Sequence, residues 1–504
     1  MAAPLAGKQP AGNPLAVTAA VMVPAVMYAL DTTIANVALP HMQGSLSATQ
    51  DQVAWVLTSY IVASAIMTAP TAWLAARFGR RNYFAFAVIG FTVASGLCGA
   101  AQSLEQIVAF RLMQGLFGAS LIPLSQSILL DTYPPEKHGS AMAMWGVGVM
   151  IGPILGPTLG GYLTELYGWR YVFYINLPIG IASVVGILLV VREHADNRRF
   201  PFDVIGFAFL SIAVGAFQLM LDRGEGEDWF VSTEIQIEAM VAATALALFV
   251  VHSLTAERPF VSLALFRDRN FVLGTVLMFL VGLLLYSVMA LLPPFLQHLK
   301  DYPVTAIGEI IAPRGVGTML AMLIVGRLVA RIDPRNFIVI GLLIAAYASW
   351  DMTQFTLEVS YRHLLFNGFV QGFGLGLIFV PLTTITFSTL AASLRTEGTG
   401  IYALLRNLGS SIGISMVVAV LSHQTDVNRI ELSWRANFDA EQVREMYAAG
   451  GSSLDRLQAI TVIYDELVRQ AAMIAYLDDF RLIFWLTLAP IPLVLMIRRR
   501  RAYG

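Results

Sequence analysis

Apolar residues in this chain gather into long runs separated by short polar breaks, and the pattern persists from one end to the other. Fourteen runs can be marked, beginning near Leu15, Gln52, Tyr83, Gln106, Ser140, Tyr171, Val204, Ile235, Phe271, Ala306, Phe337, Leu364, Thr399 and Arg481. Crossing a hydrocarbon core of about 30 Å takes roughly 20 helical residues. Backbone groups in lipid are satisfied only within helices or closed barrels, and runs this long and apolar suit helices. The pattern therefore predicts an all-α polytopic membrane protein. Residues 1–14 read as a polar tail. The first run, from about Leu15 to Leu39, exceeds the apolar core of a signal peptide and lacks a clear small-residue cleavage site, so it is expected to remain as a span.

Composition agrees with this reading. Of 504 residues, 57% are hydrophobic and 13% charged, about half the charged share of soluble domains. A net charge of −1 gives no electrostatic footprint for nucleic acid. The one cysteine, Cys98, lies within an apolar run, which excludes a disulfide framework. Positive charge is unevenly distributed: 19 Lys and Arg fall on the side of the N-terminus, including Arg77, Arg80, Arg81 and Arg498 to Arg501. Only Arg170, Arg223, Lys300 and Arg362 occupy the short loops on the other side. That bias places both termini in the cytoplasm.

The chain also repeats itself. A shift of 254 residues carries Leu74, Arg77, Arg81 and Asn82 onto Leu328, Arg331, Arg335 and Asn336, and Pro40 onto Pro294. Slightly further on, Gln114-Gly115 matches Gln371-Gly372. Six spans with their loops need fewer residues than this offset, so two extra helices are expected between two halves. The expected divisions are a tail at 1–14, a six-helix bundle at 15–192, two inserted helices at 203–256 and a second bundle at 270–497. The second bundle would contain a long outer loop at 425–480, and 498–504 would form a basic tail. Repeated halves of this kind belong to transporters that rock around a site near the midplane.

Against this background, polar side chains at membrane depth are candidate chemistry. Asp31 lies in the first run, beside a stripe of Tyr28, Thr32 and Asn36. Burial disfavours the charged form of a carboxylate, which suits a group that takes up and releases protons; an interhelical hydrogen bond is the plainer alternative. Its counterpart in the second half is Leu285, so the acid breaks the repeat. Arg111 and Gln114 are three apart on the fourth run; the arginine either modulates Asp31 or ties helices together. Glu309 is a candidate counter-charge for Arg314, and Asp222-Arg223 a local interfacial pair. The fifth run carries Gly148, Gly152, Pro153, Gly156, Pro157, Gly160 and Gly161, where small residues permit close helix approach and prolines favour kinks.

These residues resemble the major facilitator superfamily, and within it the fourteen-helix drug:H+ antiporters of the EmrB type. The resemblance covers essentially the whole chain. It implies a major-facilitator fold, proton coupling at Asp31 with Arg111, and an antiporter motif in the fifth span. It further implies a conformational switch around Arg77, Gly79 and Arg80, between the second and third spans. One departure stands out: Ala72 and Ala76 occupy positions where the superfamily usually has Gly and Asp, which removes the acid of the usual charge latch. By the same resemblance the protein would sit in the bacterial inner membrane and work with a periplasmic adaptor of the EmrA type and an outer-membrane channel.

The expected activity is proton-driven export of small hydrophobic or amphipathic drugs, with no cofactor, no metal and the proton gradient as energy source. Candidate cavity residues are Tyr28, Asn36, Gln43, Gln114, Tyr286, Gln297, Phe373 and Asn407. The alternatives are an uptake permease or facilitator on the same fold, a membrane-embedded enzyme, and a receptor or scaffold. No HExxH, Walker-type loop or nucleophile motif supports an enzyme.

Overall fold

The computed structural model describes residues 13–193, 201–329, 331–435 and 456–497. Among them every regular element is helical. The first group is α1 (Pro14–Ser45), α2 (Gln50–Thr68), α3 (Thr71–Phe78), α4 (Arg80–Ala100), α5 (Leu104–Gly118), α6 (Leu121–Thr132), α7 (His138–Tyr167), α8 (Tyr171–Tyr174) and α9 (Asn176–Val190). Next come α10 (Val204–Arg223) and α11 (Thr233–Thr255). The last group is α12 (Arg269–Pro294), α13 (Val304–Leu328), α14 (Pro334–Met352), α15 (Tyr361–Phe387), α16 (Arg395–Arg435), α17 (Arg456–Leu488) and α18 (Ile491–Met496).

Polar punctuation starts these helices by satisfying backbone N–H groups that have no intrahelical partner. Asn13 accepts from the Leu15 N–H, Thr49 and Gln52 form a reciprocal capping box, and Ser103, Asp203, Asp268, Asp333 and Ser360 cap α5, α10, α12, α14 and α15. Twelve described helices are long and apolar enough to cross a membrane, and thirteen if α2 and α3, bent by 60° at Ala69-Pro70, count as one. The expected count of fourteen is thus met by thirteen. The segment expected from Phe337 is the regular helix α14, which falls short by that measure. Within the expected outer loop 425–480, α16 continues to Arg435 and α17 already begins at Arg456. The two helices pack against each other there, which sustains them beyond the apolar runs; residues 436–455 lie outside the described residues.

Packing repeats as the sequence does. In the first group α2 lies so close to α5 that a Cβ on Gly115 would strike the Tyr60 carbonyl oxygen. In the last group α13 lies equally close to α15, and a Cβ on Gly372 would strike the Arg314 carbonyl oxygen. Tyr60 and Arg314 are related by the 254-residue shift. The two groups meet along α7 and α13, where Val329 fills the place of a side chain on Gly139, Met322 that on Gly146 and Ile154 that on Gly315. Helix α10 packs on α2 and α16, one from each group, and α11 packs on α10.

Candidate functional site

The polar centre lies inside the first group of helices. Asp31 has no solvent exposure. Its Oδ2 accepts from Arg111 Nη1 at 2.7 Å, and its Oδ1 from Gln114 Nε2 and Asn176 Nδ2, each at 2.8 Å. Helices α1, α5 and α9 thus converge on one carboxylate. Arg111 is equally buried. It also donates to the Val56 carbonyl at 3.1 Å and to Gln114 Oε1 at 2.8 Å, and its guanidinium lies 4.2 Å from the Tyr60 ring centroid. Two opposite charges buried with this many hydrogen bonds are mutually dependent: removing either leaves the other uncompensated, at a cost of about 3–5 kcal/mol. Arg111 Nη2 has no hydrogen-bond partner among the described residues, so this end of the guanidinium remains free to donate.

The glycines of the fifth run explain how α7 reaches this centre. A Cβ on Gly152 would lie 2.6 Å from the Ala29 carbonyl carbon, and one on Gly156 would strike Thr33 Oγ1. Gly148 faces Met22, and Gly160 faces Ile34 at 3.0 Å. Thr33 donates to the Gly152 carbonyl at 3.3 Å. The stripe therefore seats α7 on the turn of α1 that carries Asp31, while the far side of α7 touches α13. Gly161 meets nothing, and Pro153 and Pro157 are only half-buried.

Other expected residues scatter. Tyr28 is half-buried and shares a hydrogen bond with Ser64 at 3.1 Å. Arg406 and Tyr286 of the last group lie close enough to act on it electrostatically. Tyr286 is 39% exposed, Asn36 and Gln297 are exposed, and Gln43 is half-buried. Asn407 accepts from Arg406 at 3.3 Å. Phe373 departs from this set: with Ile340, Leu343 and Tyr347 it lines an open apolar groove between α14 and α15, and those three are largely exposed.

At the end of the bundle where α1 begins and α18 finishes (the terminal face), the switch segment is braced. Gly79, at φ +86°, permits the turn from α3 to α4, and the Glu193 carboxylate fills the place of its missing side chain. Arg80 pairs with Asp131, and Arg77 is exposed. Asp131 also pairs with Arg395 at 2.9 Å, Arg395 donates to the Leu130 carbonyl at 3.3 Å, and Ser127 shares a hydrogen bond with Thr396 at 2.9 Å. These contacts join α6 to the start of α16 and close the terminal face.

One expected pair is corrected. Glu309 accepts from Tyr361 rather than meeting Arg314, which donates to the Leu285 carbonyl at 3.1 Å. Asp222 accepts from Thr58 and lies close enough to Arg223 for the two charges to interact, while Arg223 also pairs with Glu227 and Glu234. Sequence reasoning missed Asn176 and Asp131. An amide near the start of an apolar run was a usable signal for Asn176; the separation of 264 positions between Asp131 and Arg395 left none for that pair.

Similarity to known proteins agrees with this architecture. The chain is 36% identical over 482 residues to the multidrug export protein EmrB of Escherichia coli K12, covering 95% of this chain and 93% of that one. It is 37% identical over 396 residues to the fatty acid resistance protein FarB of Neisseria gonorrhoeae, covering 78% and 77%. Among solved structures, human MFSD10 (TETRAN), an organic anion transporter, superposes with a TM-score of 0.60 at 15% identity, over 95% of this chain and all of that one. The proton:xylose symporter XylE gives 0.59 at 13% identity, over 91% and 94%. A transporter rather than an enzyme is indicated throughout. The profile of the Major Facilitator Superfamily matches residues 21–414, and the chain is a member of that superfamily, of the multidrug-export type.

Proposed function

We propose that this protein exports small hydrophobic and amphipathic compounds in exchange for protons, by alternating access between two six-helix halves, 15–192 and 270–497, with 203–256 inserted between them. The observation that carries this reading is the buried Asp31–Arg111 pair at 2.7 Å, beside the glycine contact that links α1 through α7 to the other half. A proton on Asp31 cancels its charge and releases Arg111, which must then find a new acceptor. At about 3–5 kcal/mol for an uncompensated buried charge, that rearrangement is large enough to select between two packings. The names of the relatives, multidrug export and fatty acid resistance, favour amphipathic cargo.

With the termini in the cytoplasm, as the charge bias directs, the closed terminal face corresponds to an outward-facing state. Asp131 takes over the latch that Ala76 lacks, tying Arg80 to Arg395. Cargo leaves outward as a proton reaches Asp31, and deprotonation towards the cytoplasm resets the pair. A membrane potential supplies about 2.3 kcal/mol per charge per 100 mV. Placement in a bacterial inner membrane, with an EmrA-type adaptor and an outer-membrane channel, completes the proposal; it draws on the likeness to the EmrB proteins. In proteoliposomes under an imposed pH step, wild-type protein should move ethidium against its gradient and Asp31→Asn should not. Undiminished uphill movement by the variant refutes the role given to Asp31.

A further inference from the structure

The cycle above leaves one buried acid unused. Asp479 lies in α17, has no solvent exposure, and neither of its carboxylate oxygens has a hydrogen-bond partner among the described residues. At four-residue steps on the same helix stand Ala475, Ile483 and Thr487, all buried. Ile483 and Thr487 line a narrow internal cavity together with Arg314, Ser349 and Gln371. Its free space is close to what one water needs. Arg314 is the matching oddity: buried, and without an ion pair among the described residues.

The internal repeat gives these residues an address. Arg314 stands where Tyr60 stands in the first half, Ser349 where Ser95 does, and Gln371 where Gln114 does. Helix α17 packs on α12 and α14 as α9 packs on α1 and α4. In the first half this address holds a closed ion pair, completed by Asn176 from α9. In the second half the cation at this address, Arg314, comes from α13 and has no ion pair among the described residues, while the buried acid Asp479 lies further along α17.

We propose that Asp479 is a second proton-binding site, one helical turn along α17 from the small cavity that Ile483 and Arg314 line, so that each half of the transporter exchanges a proton during the cycle. The inference rests on the proton-coupled reading of the first half. An ionised carboxylate buried without donors is costly. A proton on Asp479 cancels that charge in the present packing, and it leaves when the half repacks and exposes the carboxylate. Groups on the neighbouring helices are otherwise engaged. From α14, Asp351 is held by His363 and Asn367, each at 2.8 Å. From α16, Arg429 pairs with Asp426 and Arg406 donates to Asn407, while His423 is exposed; Glu431 is also on that helix. Beyond the end of α12, His298 is exposed, and within that helix the titratable groups are Tyr286 and, at its start, Arg269. On α17 itself, Tyr476 lies one turn away and Asp478 pairs with Arg481.

Infrared titration of the purified full chain tests this directly. The C=O band of a buried carboxylic acid should disappear in Asp479→Asn, persist in Asp31→Asn, and shift in Asp479→Glu, which serves if the Asn variant does not fold. In reconstituted membranes, the net charge moved per ethidium should fall by one in Asp479→Asn. An unchanged band and unchanged charge overturn the second site alone. If wild-type transport ignores the proton gradient, the export reading falls, and the infrared band still decides whether Asp479 binds a proton.

Discussion

Replacing Gly152 by alanine probes the contact that couples Asp31 to the opposite half. The new Cβ would stand 2.6 Å from the Ala29 carbonyl carbon and 2.7 Å from the Leu30 nitrogen. Non-bonded carbons settle at about 3.5–4.0 Å, so α7 or α1 must withdraw by roughly 1 Å. Both obstacles are backbone, and no side chain can turn aside to absorb the methyl. Overpacking of this kind costs about 1–3 kcal/mol. Withdrawal would also stretch the Thr33 bond to the Gly152 carbonyl and loosen the wall beside Asp31. The account therefore predicts a lower unfolding temperature in detergent and at least a severalfold loss of ethidium export in inverted vesicles. Gly161→Ala, whose Cβ meets nothing within 4 Å, serves as the control and should match wild type in both assays. If Gly152→Ala and Gly161→Ala behave alike, the glycine stripe does not couple the helices as described.

Two further perturbations address the terminal face. Asp131→Ala removes the pairs to Arg80 and Arg395; partly exposed pairs are each worth about 0–1 kcal/mol, so at a mid-range total of about 1 kcal/mol the state open at this face should gain roughly fivefold in population, read as faster labelling of a cysteine placed near Ser127. Asp203 precedes α10. Burial pushes its carboxyl upward, but the Gly206 N–H, His252 and the Phe260 N–H outweigh this and hold it below the usual carboxylate range. Because the folded value is depressed, its stabilisation is present above the unfolded pKa of about 3.9 and is lost as pH falls through the lower folded value. Asp203→Ala should cost about 1 kcal/mol at neutral pH and flatten the acid limb of a thermal-unfolding profile.

Spans were legible because lipid demands long apolar helices, and that demand is written into every run. The bend at Ala69-Pro70 and the continuation of α16 and α17 past the apolar runs were not, since both depend on packing between helices. Asp31, Arg111 and Gln114 stood out as polar groups at membrane depth. Their gathering point was hidden, because Val56, Tyr60 and Asn176 reach it from distant positions. The proposed pair that failed did so for a geometric reason. Glu309 and Arg314 are five apart and project from different sides of α13. The loss of Asp at position 76 was visible, whereas the contact between Asp131 and Arg395 arises only when the two halves close.

The central claim is that the charge on Asp31 selects which face of the bundle is open. Spin labels at exposed Glu136 and Ser393, in a Cys98→Ala background, would report the distance between the halves at the terminal face by double electron–electron resonance. The wild-type distance distribution should shift between acid and alkaline pH. Asp31→Asn should hold the acid-like distribution throughout, losing most of that shift. A variant that follows pH as the wild type does would contradict the claim.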